Sequence, residues 1–204
     1  MHLEGLRILG YPELFSKKYF DEGIDEIIFQ DVVASLYKRN QLSNFTSKIS
    51  KDVFVPIIVG GGIRSMQDIE EALINGADRV SINTGAIKDK KFIKDAVKSY
   101  GSSTISIAIE TLNYDGNYKV FTDSGRSETD IDTFEWIKEV EGLGVGEIIL
   151  SSINNEGTGK GFDIELLKLI RNKTSISIIA HGGASSIENI KDAVDTGING
   201  LAVS

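Results

Sequence analysis

Residues 59–83 read VGGGIRSMQDIEEALINGADRVSIN and residues 180–204 read AHGGASSIENIKDAVDTGINGLAVS. Each is the end of an apolar run, a glycine turn, an amphipathic helical pattern and a second apolar run. They align without a gap: Gly61, Gly62, Ser65, Ile69, Ala72 and Gly76 recur as Gly182, Gly183, Ser186, Ile190, Ala193 and Gly197, at a constant offset of 121 residues. Upstream at the same offset, EGIDEIIFQD (22–31) lies over LGVGEIILSS (143–152), matching Gly23 with Gly144 and Glu26 with Glu147. The repeated unit therefore spans about half the chain, as expected of a duplicated array rather than of two turns alike by composition.

Working outward, short runs rich in Ile and Val alternate with helical patterns. The runs are EIIFQD (26–31), VPIIVGG (55–61), RVSINT (79–84), TISIAIE (104–110), EIILSS (147–152), SISIIAH (175–181) and LAVS (201–204). They are apolar throughout rather than alternating, the pattern of parallel strands covered on both faces. Helices are predicted over Ser65–Asn75 and Lys91–Ser99, and Gly76, Gly101, Gly144 and Gly197 stand where a helix end favours a left-handed residue. Strand–helix units repeated in two halves point to an α/β fold, a (βα)8 barrel made of two half-barrels. Seven strands are visible. The repeat places the mate of TISIAIE before Met1 and the mate of the helix at 88–101 beyond Ser204, so the expectation is one barrel domain over 1–204, truncated at both ends. Seven strands alone would leave two unpaired edges.

The chain has 204 residues, 41% hydrophobic and 25% charged, enough for a full core. It has no apolar run of membrane-spanning length and no charged, apolar, small-residue leader pattern, so neither a membrane span nor a signal peptide is expected. With zero cysteines and no ligand-spaced His, Asp or Glu, neither disulfide nor metal is expected, no cofactor is implied, and the cytoplasm is the default location. A net charge of -8 argues against a general nucleic-acid surface. Small anions stay possible, because backbone N–H groups can hold phosphate.

In a parallel barrel, function sits at the C-terminal ends of the strands. Those ends offer Gly60–Gly61–Gly62 and Asn83–Thr84 in the first half, and Gly182–Gly183 and Ser204 in the second. Glycines beside a helix start and a small hydroxyl suit phosphate, and two such corners imply a ligand with a phosphate at each end. A tight turn alone can also demand glycine.

Across essentially its whole length the sequence resembles the cyclase subunit family of imidazole glycerol phosphate synthase. The resemblance rests on GIDEIIFQDVVAS, VGGGI, GADRVSINT, DGNYKVFTDSG, GVGEIILSSINNEGTGKGFD and the final GLAVS, and it places Met1 in the loop after the family's first strand. It implies that a glutaminase subunit, paired with this one as a heterodimer, supplies ammonia. The ammonia attacks a bis-phosphorylated ribulosyl intermediate, which cyclises to imidazole glycerol phosphate with loss of an aminoimidazole carboxamide ribotide. Two acid/base groups are needed, and the family uses aspartates at the ends of its first and fifth strands. The first falls outside this chain, and Glu110 stands at the fifth. A methylene of extra reach matters, since about 1 Å of misplacement can cost roughly 100-fold in rate.

The same resemblance assigns Gly62, Asn83, Thr84, Gly157, Gly182, Gly183 and Ser204 to phosphate, and places Ser124, Ser151, Glu156, Thr158 and His181 in substrate-facing loops. Glu156 replaces an aspartate and His181 a serine, so His181 reads equally as a new acid/base or ligand group and as space-filling beside the turn. At the opposite rim, Glu26, Arg79 and Glu147 match the family's ammonia gate, with Arg79 in place of lysine; a structural ion-pair plug would look the same. Asp78 matches a position where the family docks its glutaminase. The departures at Glu110, Glu156 and His181 leave two alternatives: a paralogue serving amidation of surface-polysaccharide sugars, and a non-catalytic phosphate-binding or partner-binding barrel.

Overall fold

The computed structural model describes residues 10–32 and 43–203. All seven expected runs form parallel strands: β1 Ile27–Gln30, β2 Ile57–Gly60, β3 Arg79–Ile82, β4 Ile105–Tyr114, β7 Glu147–Ser152, β8 Ser177–His181 and β9 Gly200–Ala202. They pair in chain order, β1-β2-β3-β4-β7-β8-β9. Two strands went unread in the sequence. β4 continues four residues past Glu110 and turns into an antiparallel hairpin, β5 Asn117–Thr122 and β6 Ser127–Asp132.

Two cores explain why the runs are apolar on both faces. Outward-pointing Ile57, Val59, Val80, Ile82, Ile107, Ile148, Leu150 and Ile178 pack against the helices through residues such as Ile69, Ile93, Trp136 and Leu166. Inward-pointing Ile58, Ile149 and Ile179 form a second cluster, joined by Ile28 and Ala202. That cluster unites β1 and β2 with β7, β8 and β9, which meet only if the sheet curls on itself. The N-terminal rim says the same. One Arg79 guanidinium nitrogen lies 3.3 Å from Glu26 Oε1 and 2.9 Å from Glu147 Oε1. In a flat sheet the strands carrying those carboxylates would stand ~19 Å apart, four strand spacings, beyond the reach of one arginine. The fold is a nearly closed (βα)8-type barrel; among the described residues β1 and β9 are each paired on one side. No helix of the described residues is long and apolar enough to cross a membrane.

The duplication recurs atom by atom. Ser65 caps helix Met66–Ile74 at φ -144, ψ 163, and Ser186 caps helix Ile187–Val194 at φ -145, ψ 164. Each hydroxyl accepts from the amide three residues on, of Asp68 and Asn189. At the strand starts, Ile57 N–H donates to Asp78 Oδ2 (2.8 Å) and Ile178 N–H donates to Asn199 Oδ1 (3.0 Å). Asp78 therefore has a structural duty.

Both glycine pairs are left-handed, Gly61 and Gly62 at φ +96 and +78, Gly182 and Gly183 at +106 and +92. The turn thus demands glycine in each half whether or not a ligand approaches. At Gly183 space is also lacking, since an added Cβ would meet Gly161 O at 2.2 Å, whereas at Gly157 (φ +73) it would meet nothing within 4 Å. Gly183→Ala is accordingly expected to lower the unfolding free energy in urea by roughly 3 kcal/mol, and Gly157→Ala by only about 1 kcal/mol. Equal losses would mean that strain alone, not the packed turn, sets the requirement.

Candidate active site

A cavity of about 270 Å3 opens at the C-terminal ends of the first four strands, lined among others by Gly61, Gly62, Asn83, Thr84, Glu110 and Ser124. Glu110 projects into it from the inner face of β4. Its Oε2 accepts from Gly125 N–H at 2.9 Å and from Asn83 Nδ2 at 3.3 Å. Asn83 is itself anchored by donating to Ala108 O (3.1 Å), so the amide that steadies the carboxyl is fixed to the same strand. Burial raises the Glu110 pKa from 4.5 to about 7, with the Gly125 hydrogen bond and Arg126 lowering it and Asp123 adding to the rise. A carboxyl balanced at neutral pH can both accept and return a proton.

The hairpin supplies that hydrogen bond. Its tip, Asp123–Ser124–Gly125, is left-handed at three consecutive residues, with φ of +53, +59 and +74. Two of them are not glycine, a strained arrangement held by neighbours. Asp123 N–H donates to Thr84 Oγ1 (3.1 Å), and Ser124 Oγ donates to Val32 O (3.0 Å). The Thr84 hydroxyl in turn donates to Asn83 Oδ1 (3.0 Å). The side chains of Asn83 and Thr84 therefore belong to the hydrogen-bonded network around Glu110, a role that their place at a strand end does not disclose. The missed hairpin did leave a signal: Asp115–Gly116 has φ of +50 and +90, and Asp-Gly between strands is a strong hairpin cue.

The second half builds a different corner on the same backbone. Register places Glu110 beside Ser151 and Ser151 beside His181, one layer of inward residues on β4, β7 and β8. Ser151 Oγ lies 3.1 Å from His181 Nδ1, and Glu156 Oε2 lies 3.6 Å from it. A Cβ on Gly182 would meet Glu156 Oε2 at 2.9 Å, so the Glu156 carboxyl rests against the glycine turn. The Thr158 hydroxyl donates to Asn155 O (2.7 Å) and holds its own loop together. Ser204 lies outside the described residues.

At the N-terminal rim, Glu26, Arg79 and Glu147 do converge, and Ser106 Oγ adds a hydrogen bond to Glu147 Oε1 (3.1 Å). Burial raises the Glu26 pKa, Arg79 opposing and Glu147 and Asp78 reinforcing the rise. Between rim and mouth, the Ser81 hydroxyl is buried with no hydrogen-bond partner among the described residues, beside Ser106 in register. The lumen thus has a polar side along β3 and β4, facing the apolar cluster of β1, β2, β7, β8 and β9. A larger open depression, about 670 Å3, lies between β6 and helix Thr133–Gly142 and includes none of the mouth residues. No group of three or more His, Asp or Glu among the described residues could hold a metal ion.

Comparison with known proteins places this geometry in a family. A sequence profile described as histidine biosynthesis protein matches residues 4–204. Imidazole glycerol phosphate synthase subunit HisF of Legionella pneumophila is 46% identical over 191 residues, covering 92% of this chain and 89% of that protein. The subunits of the same name from Campylobacter concisus and Sulfurisphaera tokodaii are 42% and 41% identical, covering 95% and 97% of this chain and 76% and 79% of theirs. The chain belongs to the histidine biosynthesis protein family, among relatives named as the HisF subunit of imidazole glycerol phosphate synthase.

Proposed function

We propose that this chain is the cyclase subunit of an imidazole glycerol phosphate synthase, taking ammonia from a glutaminase partner and closing the imidazole ring of a bis-phosphorylated ribulosyl intermediate. The observation that carries the reading is Glu110: a carboxyl at a barrel strand end, brought to about 7 by burial, beside one of two glycine corners related by the repeat. In this reading the backbone amides of Gly62, Gly182 and Gly183 take the two phosphates, with the Gly157 loop completing the second corner. Glu110 removes a proton as ammonia adds and returns it to the carbonyl oxygen, which leaves as water on the way to ring closure. The extra methylene relative to aspartate is accommodated because Asn83 and the Gly125 amide grip the longer side chain.

The same proposal takes 1–204 as one barrel domain acting in the cytoplasm, with no cofactor. Its partner docks at the N-terminal rim, where ammonia passes the Arg79 trio and follows the hydroxyls of Ser106 and Ser81 toward Glu110. The relatives' name, subunit of a synthase, supports a partner of this kind. A second reading, amidation of surface-polysaccharide sugars by a paralogue, is favoured by Glu110, Glu156 and His181, the three departures at the mouth.

The direct test is to supply the bis-phosphorylated ribulosyl substrate with an ammonium salt and measure imidazole glycerol phosphate, alongside rescue of a histidine auxotroph. Turnover and rescue are expected; soluble protein with neither leaves the paralogue reading standing. With that assay, Glu110→Gln is expected to reduce kcat by at least ~100-fold with little change in KM. Wild-type kcat should rise with pH through about 7 as the base ionises.

Stability should move the opposite way. Because the folded protein keeps the Glu110 proton between pH 4.5 and about 7 while the unfolded chain has released it, the stabilisation is full at low pH and fades as pH rises through 7. Glu110→Gln should lack this loss, and so gain on the order of 2–3 kcal/mol relative to wild type at pH 8 compared with pH 4.5. Urea unfolding at the two pH values measures it. At the rim, Arg79→Met strands two partly buried carboxylates and should destabilise the fold by roughly 3 kcal/mol, while glutamine-fed turnover with the partner present falls more than ammonium-fed turnover. Equal falls in both would make the trio a structural plug.

A further inference from the structure

The two halves of the mouth share a backbone but exchange a side chain. At the first-half positions the strand pair carries Gln30 and Gly60, and a Cβ on Gly60 would meet Gln30 Oε1 at 2.0 Å, so glutamine covers the glycine. Their second-half equivalents are Ser151 and His181, where the small residue lies on the first strand and the large one on the second. The same volume is filled from the other side. Space-filling alone would be met by any side chain of that size; what differs is the chemistry. Gln30 does not titrate, and imidazole is the side chain whose charge changes in the neutral range.

The surroundings of His181 are built for proton transfer. It stands on the inward face of β8, two residues above Ile179 of the lumen cluster, with its side chain 24% exposed. Nδ1 faces Ser151 Oγ at 3.1 Å and Glu156 Oε2 at 3.6 Å, the second in ion-pair rather than hydrogen-bond range. The Ser151 hydroxyl can donate to or accept from Nδ1, and the Glu156 carboxyl oxygen 3.6 Å away favours the neutral tautomer that carries its proton there. No hydrogen bond among the described residues reaches Nε2, which keeps its lone pair for a ligand. A carboxylate behind one nitrogen and an uncommitted second nitrogen is the arrangement that orients an imidazole base and stabilises the imidazolium it becomes. In the same inward layer the other titratable group among the described residues is Glu110, one strand beyond Ser151, and β9 presents Ala202.

We propose that His181, positioned by Glu156 and Ser151, is a second acid/base group of this site, working across the mouth from Glu110. The assignment rests on the proposed cyclase function. When ammonia adds to the carbonyl carbon, a C–N bond forms and the C=O electron pair moves to oxygen. Glu110 carries one proton from the new nitrogen to that oxygen, and the C–O bond then breaks, the oxygen leaving as water with the nitrogen's second proton as the C=N bond forms. When that nitrogen next attacks the carbon that bears the departing group, the ring C–N bond forms and the nitrogen becomes positive; His181 Nε2 removes its proton, and Glu156 stabilises the imidazolium. When the C–N bond to the departing group breaks, its electron pair goes to the leaving nitrogen, which takes the proton from Nε2 and restores the neutral ring.

The test uses the full chain with the bis-phosphorylated ribulosyl substrate and an ammonium salt. His181→Gln should lower kcat at least ~100-fold while KM stays within about 2-fold, and should remove one limb of the pH profile of kcat. Glu156→Gln, which keeps the shape but not the charge, should lower kcat about 10-fold or more while KM stays within about 2-fold. Circular dichroism and urea midpoints confirm that both variants fold. A wild-type chain that is active, with His181→Gln at wild-type kcat or impaired in KM alone, overturns the role of His181 and leaves the cyclase reading intact. A wild-type kcat in Glu156→Gln overturns the positioning. A wild-type chain inactive with ammonium overturns the proposed function and this role with it.

Discussion

A parallel strand covered on both faces has to be apolar on both, because neither side offers water to a polar group. That constraint organises this molecule. Where the strands obey it, they build two concentric cores, one under the helices and one in the lumen. Where they break it, the exceptions gather at the two ends of the lumen and along one stripe between them. Glu26, Arg79 and Glu147 sit at the N-terminal rim, Ser106 and Ser81 partway up, and Glu110, Ser151 and His181 at the mouth. Each exception costs stability in proportion to its burial, as the Ser81 hydroxyl, buried and unpartnered among the described residues, and the raised pKa of Glu110 both mark.

Duplication explains how so ordered a mouth arises from a short list of parts. The capping serines, the strand-start hydrogen bonds of Asp78 and Asn199, and the left-handed glycine pairs are the same devices used twice. A ligand with two unlike ends, however, needs the halves to differ. They differ in side chains rather than in backbone: Gln30 with Gly60 against Ser151 with His181, and the Glu156 carboxyl lying against the second glycine turn. The hairpin after β4 adds an arm that reaches back over the first-half cavity.

Most of the barrel was legible because its signals are local. Continuous apolar runs gave the seven strands, and serine caps with trailing glycines gave the helices; helix Met66–Ile74 sits inside the expected Ser65–Asn75 with both cap residues as read. The hairpin was not legible in the same way, because Ser127–Asp132 is polar and is held by pairing with β5 rather than by an apolar face. For the site, Glu110 could be picked out as a carboxyl at a strand end, but not its proton affinity. That depends on burial beneath a hairpin tip fifteen residues away and on the Gly125 amide. Asn83 and Thr84 were read as phosphate ligands from their position, although their side chains serve the Glu110 shell, a partnership visible only in three dimensions. The interchange of Gln30 and His181 likewise follows from which strand a side chain leans over, information that one-dimensional spacing does not contain.

The central claim is that two backbone corners, fixed by the repeat, hold the two ends of one doubly phosphorylated molecule. Phosphorus NMR of the chain titrated first with inorganic phosphate and then with the bis-phosphorylated product analogue tests it directly. Two bound phosphates per chain, both displaced by a single equivalent of the analogue, is the predicted result. One bound phosphate at saturation, or a second that stays bound when the analogue is in place, would contradict it.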